Sequence, residues 1–402
     1  MTASLGLRAN ARQFALLVVI NALVGSLIGL ERSVLPLIGK QDFHLHATLA
    51  VLAFVVAFGV AKALTNLGAG AVAEQIGRKR LLVLGWLAAL PVPLLIGLAE
   101  SWWWIVAANV LLGMNQGLAW SMTVVMKIDL AGPRRRGLAL GLNEAAGYLG
   151  VAATAFISAA LAASFAPRSV VWIGAAATAA AGLLLTAFVR DTAVHARLDE
   201  SPAPPDRRVL RACRQAGLVN NLNDALAWGL VPLYLAAHGA SVEHIGIVAA
   251  VYPVVWGLGQ LGTGWLSDST GRKPLIALGM VVQAGALALL VAGASCFGVA
   301  VAAAGLLGLG TALVYPTLLA AVSDASGRSR TREIGIYRFW RDFGFVLGAL
   351  LAGTAADAAS PAIAIVTVAA LTAMSGLVVA ATPFQSPQGR SRNARHRLPV
   401  RA

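Results

Sequence analysis

Several polar or charged residues sit inside stretches that are otherwise apolar, among them Glu31, Arg32, Lys62, Asn66, Asn115, Gln116, Asn143, Glu144, Asn220, Asn221, Asn223, Asp224, Arg338, Arg341 and Asp342. Their chemistry is proton exchange and charge recognition. A carboxyl group shielded from water is a candidate proton carrier, and Glu31 and Glu144 come first, with Asp224 next. Arg341 offers a fixed positive charge to an anionic substrate or to a carboxylate partner. Several of these residues have plainer alternatives. Glu31 could pair with Arg32 at a membrane interface, although adjacent helical side chains diverge by about 100° and Arg32 can snorkel outward. Arg338 and Asp342 could stand in water at a helix end. The Asn220–Asp224 cluster reads either as a helix-start cap or as a substrate site. Lys62 calls for a buried acid as partner.

A second constellation is a phrase that occurs twice. Gly70-Ala-Val-Ala-Glu74-Gln-Ile-Gly77-Arg78-Lys79 returns half a chain later as Gly264-Trp-Leu-Ser-Asp268-Ser-Thr-Gly271-Arg272-Lys273. Asp129 and Asp324 form a further matched pair, as do Gly147 and Gly344. Each phrase closes one apolar run and opens the next. The cations complement the negative end of the preceding helix, whereas Glu74 and Asp268 are repelled by it. The acids therefore have to face the positive N-terminus of some other helix. Charge that merely fixes topology would need the cations alone.

The elements that carry these groups follow from composition. Of 402 residues, 58% are hydrophobic and only 12% charged, about half the charged fraction of an ordinary soluble domain. The apolar residues fall in twelve runs of membrane-crossing length, near 14–37, 47–73, 81–99, 104–126, 137–163, 168–189, 216–238, 243–267, 274–293, 297–322, 336–357 and 361–383. A backbone in lipid has to satisfy its own hydrogen bonds, so these runs are helices. The expected order is a six-helix bundle over 1–189, a charged, Pro-rich cytosolic linker over 190–214, a second six-helix bundle over 215–383, and a basic, disordered tail over 384–402.

The net charge of +14 does not point to nucleic acid. All but four Lys and Arg (Arg32, Lys40, Lys62 and Arg168) cluster between alternate runs, Lys127 among them, which places both termini in the cytosol. Cys213 and Cys296 are expected on opposite membrane faces and form no disulfide. Trp102, Trp103 and Trp104 read as an interfacial belt. Gly257-Leu-Gly259-Gln-Leu-Gly262 spells a dinucleotide fingerprint but lies inside an apolar helix and follows no strand. There is no Walker-type loop, and the histidines have no metal-ligand spacing. The chain is not expected to be an enzyme or to hold a cofactor or metal.

With its doubled motif and six-plus-six runs, the chain resembles the major facilitator superfamily over nearly its whole length to about residue 383. Glu74 stands where that family usually has Asp, and Gln75 where it usually has a basic residue. The resemblance implies an all-α membrane fold of two pseudo-symmetric six-helix bundles. It further implies that the motif acids contact helix 11 from the first half and helix 5 from the second. The implied clusters are Glu74–Arg78–Asp129 and Asp268–Arg272–Asp324. Gly70 and Gly264 would allow close approach, and Gly77 and Gly271 the turn. Helices 1, 4, 7 and 10, with help from 2, 5, 8 and 11, would line a central cavity, which Glu31, Asn115, Gln116, Glu144, Asp224 and Arg341 fit. Gly147/Gly150 and Gly344/Gly348 are expected where helices 5 and 11 pack on helices 8 and 2.

The function expected from this reading is secondary active transport by alternating access. It would move a small solute across the cytoplasmic membrane, coupled to protons and directed outward, with the protein acting as a monomer. Two alternatives stand beside it. One is an organic-anion or organic-acid carrier using Arg341 and Lys62. The other is a non-transporting receptor or scaffold whose basic tail docks anionic lipid.

Overall fold

The computed structural model of the protein describes all residues except 1–3, 33, 36–37, 40–41, 45–47, 163, 199–203, 359 and 385–402. The basic tail, Lys40 and the start of the Pro-rich phrase in the linker lie outside the described residues. Among the described residues there is no strand. The helices are α1 (Ala11–Arg32), α2 (Thr48–Ile76), α3 (Arg78–Ala89), α4 (Pro91–Gly97), α5 (Trp102–Asn115), α6 (Ser121–Ala131), α7 (Arg136–Ala162), α8 (Pro167–Ala187) and α9 (Ala193–Leu198). They continue with α10 (Arg207–Ala237), α11 (Val242–Thr270), α12 (Arg272–Ala292), α13 (Phe297–Ala325), α14 (Arg330–Ala358) and α15 (Pro361–Ala381).

The chain forms two compact units. One comprises Met1–Leu130 with Leu142–Ala196, the other Ala131–Gly141 with Arg197–Ala402. The division falls inside α7, whose opening residues cluster with the second unit. In the first unit α2 packs on α5 and α1 on α8. In the second, α12 packs on α13 and α15, α10 on α14, and α11 on α13.

Three local features depart from the sequence reading. The fourth run is not one helix: α5 ends at Asn115, a π-helical turn covers Gln116–Trp120, and α6 follows. That wider turn aims two consecutive amides into the interior, as described below. Secondly, α10 starts at Arg207, not near residue 216, because the Asp206 carboxylate accepts the backbone N–H groups of Arg208 and Val209. Asn220–Asp224 therefore lies in mid-helix and caps nothing. Thirdly, the glycine pairs face other neighbours than expected. A Cβ at Gly150 would strike the backbone of Ala22 in α1, and one at Gly348 would strike that of Leu222 in α10. These small residues bring α7 onto α1 and α14 onto α10.

Nine helical stretches among the described residues are long and apolar enough to cross a membrane. The runs that fall short are α5–α6, α10 and α14. They hold Asn115 and Gln116, the Asn220–Asp224 cluster, and Arg338, Arg341 and Asp342 respectively. The first falls short because the π-turn divides it into two short helices, and the other two carry charged and amide residues along their lengths. Prolines inside helices are handled locally. Pro316 in α13 cannot donate to the carbonyl of Ala312, and the Thr263 hydroxyl of α11 donates to that oxygen at 2.6 Å.

Trp86 is fully buried, and Gly182 of α8 gives its indole the room it needs: a Cβ at Gly182 would fall within the Trp86 ring. Gly182→Val is expected to lower stability by about 1–3 kcal/mol through overpacking. Thermal unfolding in detergent measures this, and Trp86→Leu in the same chain should restore part of the loss.

Candidate functional site

The first unit holds a chain of buried polar groups around the π-turn. Asn115 donates to the Gly85 carbonyl at 2.9 Å, and Gln116 donates to that of Val24 at 2.7 Å. Trp120 Nε1 donates to both carboxylate oxygens of Glu144 at 3.1 Å. Asn143 donates to Glu144 at 2.8 Å and accepts from Lys127 Nζ at 2.5 Å. The Asn143 amide thus bridges an ammonium and a carboxylate. Asn21 donates to the Asn143 carbonyl at 2.7 Å and accepts from Thr123 at 2.8 Å. Lys127, grouped on sequence with the inner-face cations, is in fact fully buried. Its counter-charge is Glu144, and that pairing is what makes its burial tolerable. Lys62 of α2 lies over the Phe58 and Trp120 rings, at 5.8 and 5.7 Å from their centroids.

Two further acceptors lie in this unit. Glu31 is 2% exposed, and the side chain of Asn109 lies beside its carboxyl group. The side chain of Arg32 lies outside the described residues. Gln116 Oε1 is buried without a donor among the described residues.

In the second unit Asp224 of α10 meets Arg341 of α14 at 3.3 Å, and Arg341 also reaches Asp342 at 3.3 Å. The guanidinium lies 3.9 Å from the centroid of the Tyr315 ring, close enough for a cation–π contact. Tyr252 donates its hydroxyl to the second oxygen of Asp224. Trp228, Tyr252, Trp256 and Tyr315 follow one another at centroid separations of 6.4, 5.8 and 6.1 Å. Arg338 and Asp342 are both buried, so neither sits in water at a helix end. The neighbouring amides serve the frame. Asn223 donates to Gln283, Gln283 to Asn220 at 2.9 Å, and Thr372 to Asn223 at 3.0 Å, which joins α10, α12 and α15. A small, largely apolar pocket among α10, α11, α12 and α13 is walled in part by Trp228 and Tyr252.

The repeated motif behaves differently in its two copies. In the second, Asp268 accepts the backbone N–H groups of Gly137 and Leu138 at 2.9 Å each, capping the N-terminus of α7. Arg272 pairs with Asp268 at 2.8 Å and with Asp324 at 3.0 Å, and Arg136 pairs with Asp324 at 2.7 Å. Gly264 allows this approach, because a Cβ there would lie 2.5 Å from the Gly137 carbonyl oxygen. In the first copy Arg78 pairs with Asp129 at 2.8 Å, but Glu74 is exposed and has no partner among the described residues. The implied Glu74–Arg78–Asp129 triad is corrected to a pair, since a charged carboxylate with water available has no need of a buried partner. Asp129 also accepts the Thr192 hydroxyl at 2.7 Å. Its neighbour Asp191 accepts the Lys79 N–H at 2.9 Å and caps α3. Gly77 and Gly271 make their turns at φ 94° and 89°, and Gly70 is buried in α2. Burial lowers the His195 imidazole below its ordinary value, which favours its neutral form next to this strap.

Sequence reasoning missed several residues of these sites. Tyr252 and Tyr315 each precede a proline inside an apolar helix, and that Tyr-Pro step was a usable signal. Trp120 and Asn21 carried none. Gln260, inside the dismissed fingerprint, is fully buried, with neither amide atom partnered among the described residues.

The profile of the Major Facilitator Superfamily matches residues 14–214 and 216–401. The chain belongs to the major facilitator superfamily. A member of the superfamily is a transporter and not an enzyme, and this one has the all-helical membrane fold. It is 27% identical over 233 residues to a "Probable 4-methylmuconolactone transporter" of Cupriavidus pinatubonensis (strain JMP 134 / LMG 1197), a match covering 54% of each chain. The chain thus spans about half the length of that relative. Its fold is similar to that of the human organic anion transporter MFSD10 (18% identity, TM-score 0.75, covering 92% of this chain and 99% of that one). It is also similar to the E. coli fucose:proton symporter FucP (13%, 0.73, 91% and 97%) and to the proton:xylose symporter XylE (13%, 0.72, 92% and 95%).

Two predictions test this geometry in the superfamily member at hand. Lys127→Met and Glu144→Gln should each destabilise by about 3–5 kcal/mol, because each leaves one buried charge unanswered. The double variant should lose clearly less than the sum, read from unfolding in detergent. Asp268→Ala removes two charge-assisted hydrogen bonds at the start of α7 and should cost about 2–3 kcal/mol, whereas Glu74→Ala should leave the melting temperature unchanged.

Proposed function

We propose that the protein is a proton-coupled secondary carrier of small organic acids. It would act as a monomer in the cytoplasmic membrane, with both termini in the cytosol. The observation that carries this reading is Arg341, a buried guanidinium stacked on Tyr315 and set among Trp228, Tyr252 and Trp256. A planar cation on an aromatic wall suits a carboxylate attached to a compact apolar body. The pocket beside Trp228 and Tyr252 supplies an apolar lining suited to such a body. The similarity to a protein named for 4-methylmuconolactone, and the likeness in fold to an organic anion transporter, support the same substrate class.

Glu31 and Gln116 are the first-unit candidates for proton or substrate contact, because Glu31 is a buried carboxyl answered by no cation that the structure describes and Gln116 presents a buried acceptor without a donor. Glu144, already holding three donated hydrogen bonds and facing Lys127, serves better as a fixed counter-charge. The Asp268 cap on α7 and the Arg–Asp clusters are the gate, opening and closing as the carrier cycles.

A second reading, drug-type export, rests on the doubled inner-face motif. Transport in proteoliposomes separates the two. Under an inward proton gradient the carrier should accumulate organic acids, 4-methylmuconolactone among the panel, and should ignore uncharged sugars. Arg341→Gln should reduce uptake about 100-fold or more, the scale of a lost charged hydrogen-bond pair, with Arg341→Lys retaining part. Uptake that is indifferent to Arg341, or outward drug flux alone, would favour the export reading.

A further inference from the structure

We propose that Gln260 of α11 is a substrate contact that selects organic acids carrying a second hydrogen-bonding group, a hydroxyl or a carbonyl. This rests on the organic-acid reading above, which sets the carboxylate at Arg341, and adds to it what the rest of the molecule has to offer.

Gln260 stands in the glycine-rich stretch Gly257-Leu-Gly259-Gln-Leu-Gly262, whose spacing imitates a nucleotide fingerprint. The glycines around it serve packing and space instead. A Cβ at Gly259 would lie 2.8 Å from that of Ala312, so α13 presses close on one side. A Cβ at Gly141 would fall 2.4 Å from the Gln260 carbonyl oxygen, so the opening turns of α7 lie against the same residue. The backbone of Gln260 is therefore held from two directions. Gly257 is the opposite case. It is buried, yet a Cβ there would meet nothing within 4 Å apart from its own helix backbone and immediate neighbours. A helical side chain covers the turn N-terminal to its own Cα. For Gln260 that turn holds Trp256 and Gly257, so the amide and the open space lie together.

Gln260 is fully buried, and neither Oε1 nor Nε2 has a hydrogen-bond partner among the described residues. Other polar side chains of α11 are engaged. Tyr252 donates to Asp224, Thr263 to the Ala312 carbonyl at 2.6 Å, and Ser267 to that of Gly264 at 2.9 Å. Gln283 of α12 shows what a structural amide does in the same unit: it accepts from Asn223 and donates to Asn220. An amide buried with its bonds unmade bears the full cost of leaving water. A ligand that brings a matching group removes that cost.

The position suits a molecule that also reaches Arg341. Trp256, one turn before Gln260, has its ring centroid 6.1 Å from that of Tyr315, and Tyr315 carries the Arg341 guanidinium on its face. The two rings thus run between the cation and the amide. An acid lying along them sets its carboxylate at Arg341 and its apolar body on the indole. A hydroxyl or carbonyl at the far end meets Gln260, whose amide can donate to either and accept from the hydroxyl. An acid without such a group leaves the amide unanswered, and a site built to make such a bond rejects the analogue that lacks it.

The probes are benzoate, 3-hydroxybenzoate and 4-hydroxybenzoate, titrated by calorimetry into the purified full-length protein in detergent. At least one hydroxybenzoate should bind the wild type about 10- to 100-fold more tightly than benzoate does. Gln260→Met, similar in volume but without the amide, should bind benzoate as the wild type does and lose the preference. Its melting temperature without ligand should not fall, because the amide it removes holds no described part of the chain. Gln260→Asn keeps the amide on a shorter stem and should keep only part of the preference; it decides the matter if Gln260→Met does not fold. Equal binding of all three acids by the wild type, or a preference that the variants leave at the wild-type level, overturns the assignment while the organic-acid reading stands. If the wild type binds none of the three, the organic-acid reading fails and the role of Gln260 with it.

Discussion

An ionised side chain inside a helix that crosses lipid has to be answered by another group, because water is not there to answer it. Both units are organised around meeting this demand. In the first, Lys127 and Glu144 are joined through the Asn143 amide, and Trp120 completes the shell around the carboxylate. In the second, Arg341 is shared between two acids and a tyrosine ring. The helix positions follow from these pairings as much as from packing. The pairs tie α6 to α7 and α10 to α14, and the small residues of α7 and α14 admit the close approach that the pairs require.

The two units meet the demand in different ways. Amides dominate the first, where Asn21, Asn115, Gln116 and Asn143 form a directional lattice with few spare bonds. Charge and aromatic surface dominate the second, where the arginine is shared between two acids and a ring face.

How much of this was legible in the sequence depended on the kind of signal. Length and apolarity announced the helices, because lipid leaves the backbone no alternative. The repeated phrase announced Asp268 and Arg272, because the two sit four residues apart at one turn, where spacing translates directly into proximity; Asp324, at the end of α13, joined them through the family resemblance. Glu74 shows where that reasoning stops: the same spacing produced an exposed side chain, since nothing local forces a solvated acid inward. Lys127 misled for a related reason. A lysine near a helix end looks topogenic unless its acid is visible, and Glu144 lies on another helix. The start of α10 was misplaced because a polar first turn, capped by Asp206, does not register as part of an apolar run. Tyr252 and Tyr315 were hidden among hydrophobic neighbours, with only the following proline to mark them.

The π-turn at Gln116–Trp120 has a consequence for how this chain tolerates change. It holds one residue more than a regular helical turn would. Removing a single residue there would let the segment rewind as ordinary helix while its two flanks keep their phase. The loss would fall on the wide turn itself, where Gln116 and Trp120 hold their buried partners and a Cβ at Gly117 would strike Thr65. The segment thus behaves as a slack link in the fourth crossing: it confines the effect of one extra residue to a single turn and leaves Asn115 and Ser121 free to keep their contacts on either side.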